Sequence, residues 1–141
     1  VQQLVKEINC KYRAGNWYPI VLNTKGIDYV QHLALYRSAD LCIVSSRHDG
    51  MNLVAKEYVA ANVDLKGVLI LSKFTGSARE LSKGAILINP YDFESTADAI
   101  KKAIQMSKEK RVERMRKMRD IVAERNIYRW AGKFISNLVR L

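Results

Sequence analysis

The sequence predicts an α/β fold: a doubly wound, Rossmann-like parallel sheet followed by a C-terminal tail of helices. Three observations carry that prediction. The strand-like segments are continuous apolar runs, the pattern of strands covered on both faces. They alternate with segments of helical periodicity, so each connection is a right-handed crossover between parallel strands. No strand-like run follows residue 89, where the pattern turns wholly helical.

The elements follow in order. Residues 1–13 predict a helix with Val1, Val5, Ile8 and Tyr12 on one face, broken by Ala14-Gly15-Asn16. "YPIVLN", 18–23, predicts a short buried strand. A helix over 28–38 carries Val30, Leu33, Ala34 and Arg37 at helical spacing, and "LCIVSS", 41–46, is the second strand. Residues 51–62 predict a helix with Met51, Val54, Ala55 and Tyr58 in one row, and "GVLILS", 67–72, the third strand. "SARELS" opens a short helix, with Ser77 and Glu80 at capping-box spacing, before "AILIN", 85–89, the fourth strand. Asp92 can cap a helix to about Met106, with Ala97, Ile100 and Ile104 inward. A further helix from Ser107 turns Val112, Met115, Met118 and Val122 inward. The last carries a wide apolar stripe of Ile127, Trp130, Ala131, Phe134, Ile135 and Leu138. The whole of 1–141 is thus expected as one unit, βα repeats over 1–90 and helices over 91–141. Four strands make a thin sheet with an edge to protect. Strands N-terminal to residue 1 are expected to complete it.

Composition narrows the partners. A chain of 141 residues, 48% apolar, can bury a core without staples. No apolar run approaches the ~18 residues that span a bilayer, so no membrane partner is expected. Cys10 and Cys42 match no metal or redox spacing, and Cys42 sits in an apolar run. A buried thiol in a reducing compartment, the cytoplasm, is the expectation. "VQQLVKEI" is amphipathic and does not read as a signal peptide. The net charge of +10 suggests an anionic partner, and residues 101–120 hold nine Lys/Arg against three Asp/Glu. That run is open to three readings: a solvated helix face, a nucleic-acid contact, or a phosphorylated small molecule.

The stretch that carries chemistry is "SSRHDGMNLVAKEY", 45–58, between a strand and a helix. In open α/β sheets ligands bind beyond the carboxyl ends of the strands, which is where this turn falls. Gly50 lets backbone approach a ligand without a Cβ between them. The N–H groups of Met51, Asn52, Leu53 and Val54 are the donors of a first helical turn, and the helix dipole favours an anion there. A diphosphate fits. A carboxylate repels phosphate, so Asp49 is better placed to accept from sugar hydroxyls, and Glu57 to accept from those of a ribose. A nucleotide sugar would use all three features. The alternative stays open: Asp49 as a plain helix cap, Gly50 as a turn residue, and Glu57 and Lys56 as solvated neighbours. His48 has no nucleophile or second histidine to make it a base, and His32 reads as a surface residue. "KFTGSAREL", 73–81, repeats the turn after the next strand, with Thr75, Gly76 and Ser77 at the same rim.

These residues resemble a family. "ADLCIVSSRHDGMNLVAKEYVAA" is similar to the trehalose-6-phosphate synthases, retaining glycosyltransferases of the GT-B type, whose donor-binding domain carries a D-G-M-N-L-V-x-x-E core. "GVLILSKFTGSAREL", "AILINPYDFESTADAIKKAI" and "MRDIVAERNIYRWAGKFISNL" continue the resemblance, which covers nearly all of 6–140. It implies transfer of glucose from a nucleotide sugar, usually UDP-glucose, to glucose-6-phosphate with retention and without a metal or other cofactor. It implies that Asp49 and the N–H groups of Gly50, Met51 and Asn52 contact the donor sugar. Those of Leu53 and Val54 would hold the diphosphate, Glu57 the ribose, and backbone near Ile27 the uracil. Two departures stand out. Arg47-His48 replaces the family's Leu-Arg. The family's N-terminal acceptor domain, and the Arg and Lys that neutralise the leaving diphosphate, have no counterpart here. The resemblance therefore implies the donor-binding C-terminal half of a GT-B enzyme, inactive alone, with the missing domain as its partner. The last helix is then expected either to cross to that domain or to cover its own sheet.

Two alternatives compete. One is a basic α/β module binding nucleic acid through 101–120; few aromatics interleave there, and it leaves D-G-M-N-L-V unexplained, so nucleic acid is not the expected partner. The other is a related glucosyltransferase with a different sugar- or polyol-phosphate acceptor.

Overall fold

The computed structural model describes residues 1–140; Leu141, the end of the expected unit, lies outside them. Three strands form the sheet: β1 (Leu41–Val44), β2 (Val68–Ser72) and β3 (Ile86–Ile88). All pairs are parallel in the order β1-β2-β3, with Leu41 opposite Val68 and Ile70 opposite Ile86. Among the described residues, seven helices surround or trail them: α1 (Gln2–Tyr12), α2 (Tyr29–Ser38), α3 (Leu53–Ala61), α4 (Ala78–Leu81), α5 (Phe93–Ile104), α6 (Lys108–Glu124) and α7 (Ile127–Leu138).

The sheet is covered on both faces. Val44, Leu69 and Leu71 pack with Ala55, Tyr58 and Val59 of α3 and with Met115 and Met118 of α6. The opposite residues Val68, Ile70 and Ile88 pack with Ala99 and Ala103 of α5. Every residue of β2 is buried, as its unbroken apolar run requires. The flanking strands are not fully covered: Ile43 and Leu87 are exposed.

The expected strand at 18–23 does not form. Backbone in a strand needs a partner, and no β-strand neighbours this run among the described residues. Instead Ala14 and Trp17 make an isolated bridge, and Asn9 of α1 takes over the pairing of Ile20. Its side chain donates to the Ile20 carbonyl at 2.9 Å and accepts from the Ile20 N–H at 3.0 Å. Val21 is left exposed.

Helix faces are rotated from expectation in three places. In α5 the small residues Ala99 and Ala103 face the sheet while Ala97 and Ile104 face solvent, because alanine lets the helix approach closely. In α2 Tyr36 is buried while Val30 and Ala34 are exposed. In α3 the row of Ala55, Tyr58 and Val59 is buried while Met51 and Val54 are exposed. The capping box is absent too: Ser77 has helical backbone, makes no side-chain cap, and donates instead to Thr75 Oγ1 at 3.3 Å. Glu80 turns to Lys56 of α3 at 3.2 Å and to Arg125 at 3.8 Å. Neither α1 nor α7 buries a residue. The stripe of α7 therefore does not cover this sheet.

Candidate functional site

The turn after β1 is built by one carboxylate and one amide. Asp49 Oδ1 accepts from the N–H groups of Met51 at 3.2 Å and Asn52 at 2.9 Å. Its Oδ2 accepts from the Asn52 side chain at 2.8 Å. Asn52 then caps α3, its Oδ1 accepting from the Ala55 N–H at 3.0 Å. The chain enters the helix through Asn52 at φ 54°, a left-handed conformation that asparagine tolerates better than most residues. The helix thus begins at Leu53, two residues later than its apolar row suggests, and Asn52 is the cap that the sequence reading missed. Its signal was present: an asparagine three residues before the Ala55 N–H.

Two of the four expected donors are thereby spent, since Met51 and Asn52 give their N–H groups to Asp49. The other two remain. Among the described residues, the N–H groups of Leu53 and Val54 have no protein partner, and neither has that of Gly50. They lie at the positive end of α3, where an anion is favoured. Gly50 is not in the left-handed region, and a Cβ built on it would meet nothing within 4 Å. Nothing inside the chain requires glycine there; the space beside it is open.

The neighbouring turn braces this one. Asp49 bridges to Thr75 in parallel fashion, its N–H donating to the Phe74 carbonyl at 3.4 Å and its carbonyl accepting from Gly76 N–H at 2.9 Å. A Cβ on Gly76 would lie 2.0 Å from the Gly50 carbonyl oxygen. The two rim turns noted separately in the sequence therefore form one unit, backbone against backbone. Arg47 packs over the Tyr91 ring at 5.4 Å, and Tyr91 meets Phe74 edge-on at 5.9 Å, which ties the loops after all three strands.

Electrostatics follow from these contacts. The Asn52 amide and the Met51 N–H, with the Asn52 N–H and nearby His48, hold the Asp49 carboxyl below the usual carboxylate range. Three donors leave a carboxylate with at least one acceptor position, so Asp49 can still take a hydroxyl. Glu57 is half-buried, forms no ion pair among the described residues, and accepts only from the Tyr36 hydroxyl at 3.4 Å. His32, expected at the surface, is half-buried and its ring lies tilted against that of Tyr36 at 4.4 Å. Ile27 is half-buried in the segment before α2, and no hydrogen bond joins it to the turn.

Three of the nine cations of the basic run turn inward, while Lys101, Lys102, Lys108, Lys110, Arg116 and Lys117 are exposed. Arg111 donates to the Ala103 and Ile104 carbonyls at 3.1 and 3.0 Å, at the C-terminal end of α5. Arg114 donates to the Gly84 and Ala85 carbonyls at 2.8 and 2.9 Å. Arg119 donates to the Val59 and Ala60 carbonyls, the first at 3.0 Å, at the end of α3. Cations placed on orphan helix carbonyls are doing structural work. That removes three of the nine cations from the nucleic-acid reading of 101–120. No helix among the described residues is long and apolar enough to cross a membrane.

Comparison with known proteins gives consistent results. The family model of glycosyltransferase family 20 matches residues 1–140. The bifunctional trehalose-6-phosphate synthase/phosphatase of Thermoproteus tenax is 40% identical over 139 residues, 99% of this chain and 19% of that protein. The UDP-forming alpha,alpha-trehalose-phosphate synthase of Yarrowia lipolytica is 39% identical over 140 residues, 99% of this chain and 30% of that protein. A solved E. coli structure bound with UDP-2-fluoro glucose superposes with a TM-score of 0.94 at 38% identity, covering 99% of this chain and 31% of that one. The chain thus spans about a fifth to a third of the length of the relatives it matches.

Proposed function

The chain belongs to glycosyltransferase family 20, and from that premise we propose that it is the donor-binding part of a retaining glucosyltransferase. The whole protein would transfer glucose from UDP-glucose to glucose-6-phosphate, giving trehalose-6-phosphate. The observation that carries this reading is the pair of unpaired N–H groups, Leu53 and Val54, at the head of α3 beside the open space at Gly50.

In this reading the donor diphosphate lies on those two N–H groups and the positive end of α3. The Gly50 N–H and the free acceptor position of Asp49 hold hydroxyls of the glucose. The N–H groups of Met51 and Asn52 serve at one remove, by fixing the Asp49 carboxylate that faces the sugar. Glu57, one turn along α3, takes the ribose, and the segment at Ile27 flanks the uracil. Backbone donors and the helix dipole meet the negative charge, with no metal or other cofactor in the scheme. Stabilising the leaving diphosphate is the main demand on such a site. The cations for it, and the acceptor site, are assigned to an N-terminal domain and the segment joining it to this chain. The two free cysteines, Cys10 and Cys42, suit a reducing cytoplasm.

Hydrogen exchange on the full-length protein tests the donor site. UDP-glucose should slow exchange across residues 50–57, and the protein should form trehalose-6-phosphate when glucose-6-phosphate is added. Unchanged exchange over 50–57 in a protein that binds UDP-glucose would remove the donor site from this turn. Product formed only with a different sugar phosphate would correct the acceptor.

A further inference from the structure

Glu57 has one protein partner among the described residues, and the scheme above gives that partner no task. The Tyr36 hydroxyl, 21 residues earlier on α2, donates to Glu57 Oε2 at 3.4 Å. Tyr36 is only 8% exposed. Its ring meets His32, tilted at 4.4 Å, and Tyr58, edge-on at 6.1 Å. Tyr58 is itself fully buried and donates its hydroxyl to the Ala39 carbonyl at 3.3 Å. These ring contacts and the burial of Tyr36 restrict where its hydroxyl points, independently of Glu57.

The chemistry of the pair is asymmetric. Burial, and then the negative charges of Glu57 and Cys42, push the Tyr36 phenol up to about 12. It remains a proton donor throughout the neutral range. Glu57 is a carboxylate acceptor with several lone-pair positions, one of them occupied by Tyr36, and it forms no ion pair among the described residues. A carboxylate anchored at one oxygen presents the other to a pair of vicinal hydroxyls. Fixing that side chain before a ligand arrives also removes part of the rotamer entropy that binding would otherwise cost.

Building on the donor-site reading, we infer that Tyr36 is a positioning residue. It holds Glu57 as the acceptor for the vicinal hydroxyls of the donor's ribose and so sets the preference for ribonucleotide over deoxyribonucleotide donors. A hydroxyl that merely satisfied a half-buried carboxylate would support the fold without distinguishing between ligands.

Calorimetry on the full-length protein with UDP and with 2′,3′-dideoxy-UDP separates the two roles. The unsubstituted protein should bind UDP more tightly than the dideoxy analogue. Tyr36→Phe keeps the ring and its packing, and should weaken UDP about three- to tenfold while leaving dideoxy-UDP unchanged. Glu57→Gln should show the same selective loss. An equal weakening of both ligands by either variant, or none, overturns the role of Tyr36. Equal affinity of the unsubstituted protein for the two ligands overturns the ribose reading itself, and the inference with it.

Discussion

Gly50 and Gly76 face each other across the two rim turns, and only one of them is demanded by the chain. A Cβ on Gly76 would sit 2.0 Å from the Gly50 carbonyl oxygen and 2.8 Å from its carbon, both backbone atoms that cannot swing aside. Gly76→Ala should therefore lower stability by roughly 1–3 kcal/mol, the range for overpacking, and displace the 49–51 turn. Gly50→Ala meets nothing and should change stability by less than about 0.5 kcal/mol, as an unencumbered surface substitution does. If the open space holds the donor, it should nonetheless weaken UDP-glucose binding. Paired thermal melts and binding isotherms check this, and an alanine at 50 that binds as tightly as glycine would show the space to be unused. The sequence made the DG and TG turns visible but not their contact, because nothing local records that two loops 26 positions apart share hydrogen bonds. It also misjudged the start of α3: the apolar row begins at Met51, yet Asp49 draws in two N–H groups and leaves Asn52 to cap. The N–H groups of Leu53 and Val54 keep no protein partner among the described residues, because that depends on where the helix starts and not on which side chain caps it.

At the scale of elements, α6 is read wrongly if its charges are only counted. Three of its four arginines, Arg111, Arg114 and Arg119, reach the carbonyls that end α5, precede β3 and end α3, so one helix clamps three neighbouring segments. Arg119→Ala should destabilise the protein by about 1–2 kcal/mol, the scale of a charge-assisted hydrogen bond at a partly exposed site. Lys117→Ala should cost less than about 0.5 kcal/mol, since its partner Glu113 lies on the same solvent-facing surface. Denaturant titration of the two variants would test the contrast, and equal midpoints would demote the clamp to a crystal-like coincidence of geometry. Periodicity could place the helix and its Met115 and Met118 face, because hydrophobic spacing is local. It could not tell which cations bend back onto carbonyls, because those partners lie up to 60 positions away. The same limit explains the missing strand at 18–23: an apolar run becomes a strand only if another strand lies beside it. Asn9, a side chain no strand rule consults, satisfies Ile20 instead.

For the molecule as a whole, the uncovered surface is concentrated in particular places. The α7 stripe exposes Ile127, Trp130, Phe134, Ile135 and Leu138, with Trp130 and Phe134 stacked at 5.5 Å. The segment before β1 exposes Val21, Tyr29 and Val30, and Ile43 of β1 itself is open. A domain that folds for itself rarely leaves contiguous apolar surface of this kind without a partner. The proposed partner is an N-terminal part of the same protein; the relatives are longer than this chain, which spans 19% and 30% of two of them. Helix α7 is the natural contact, since an amphipathic helix with no buried residue has spent none of its apolar face on its own sheet. If so, the 141-residue chain in isolation should satisfy that face by self-association. Sedimentation velocity should show a concentration-dependent rise in mass, and Trp130→Glu with Phe134→Glu should return the chain to monomer without changing its melting temperature. The full-length protein, with the face occupied, should show no such response to concentration. A chain that stays monomeric at every concentration tested would mean that the α7 face needs no cover, and would remove the strongest physical reason for placing the proposed N-terminal part against it.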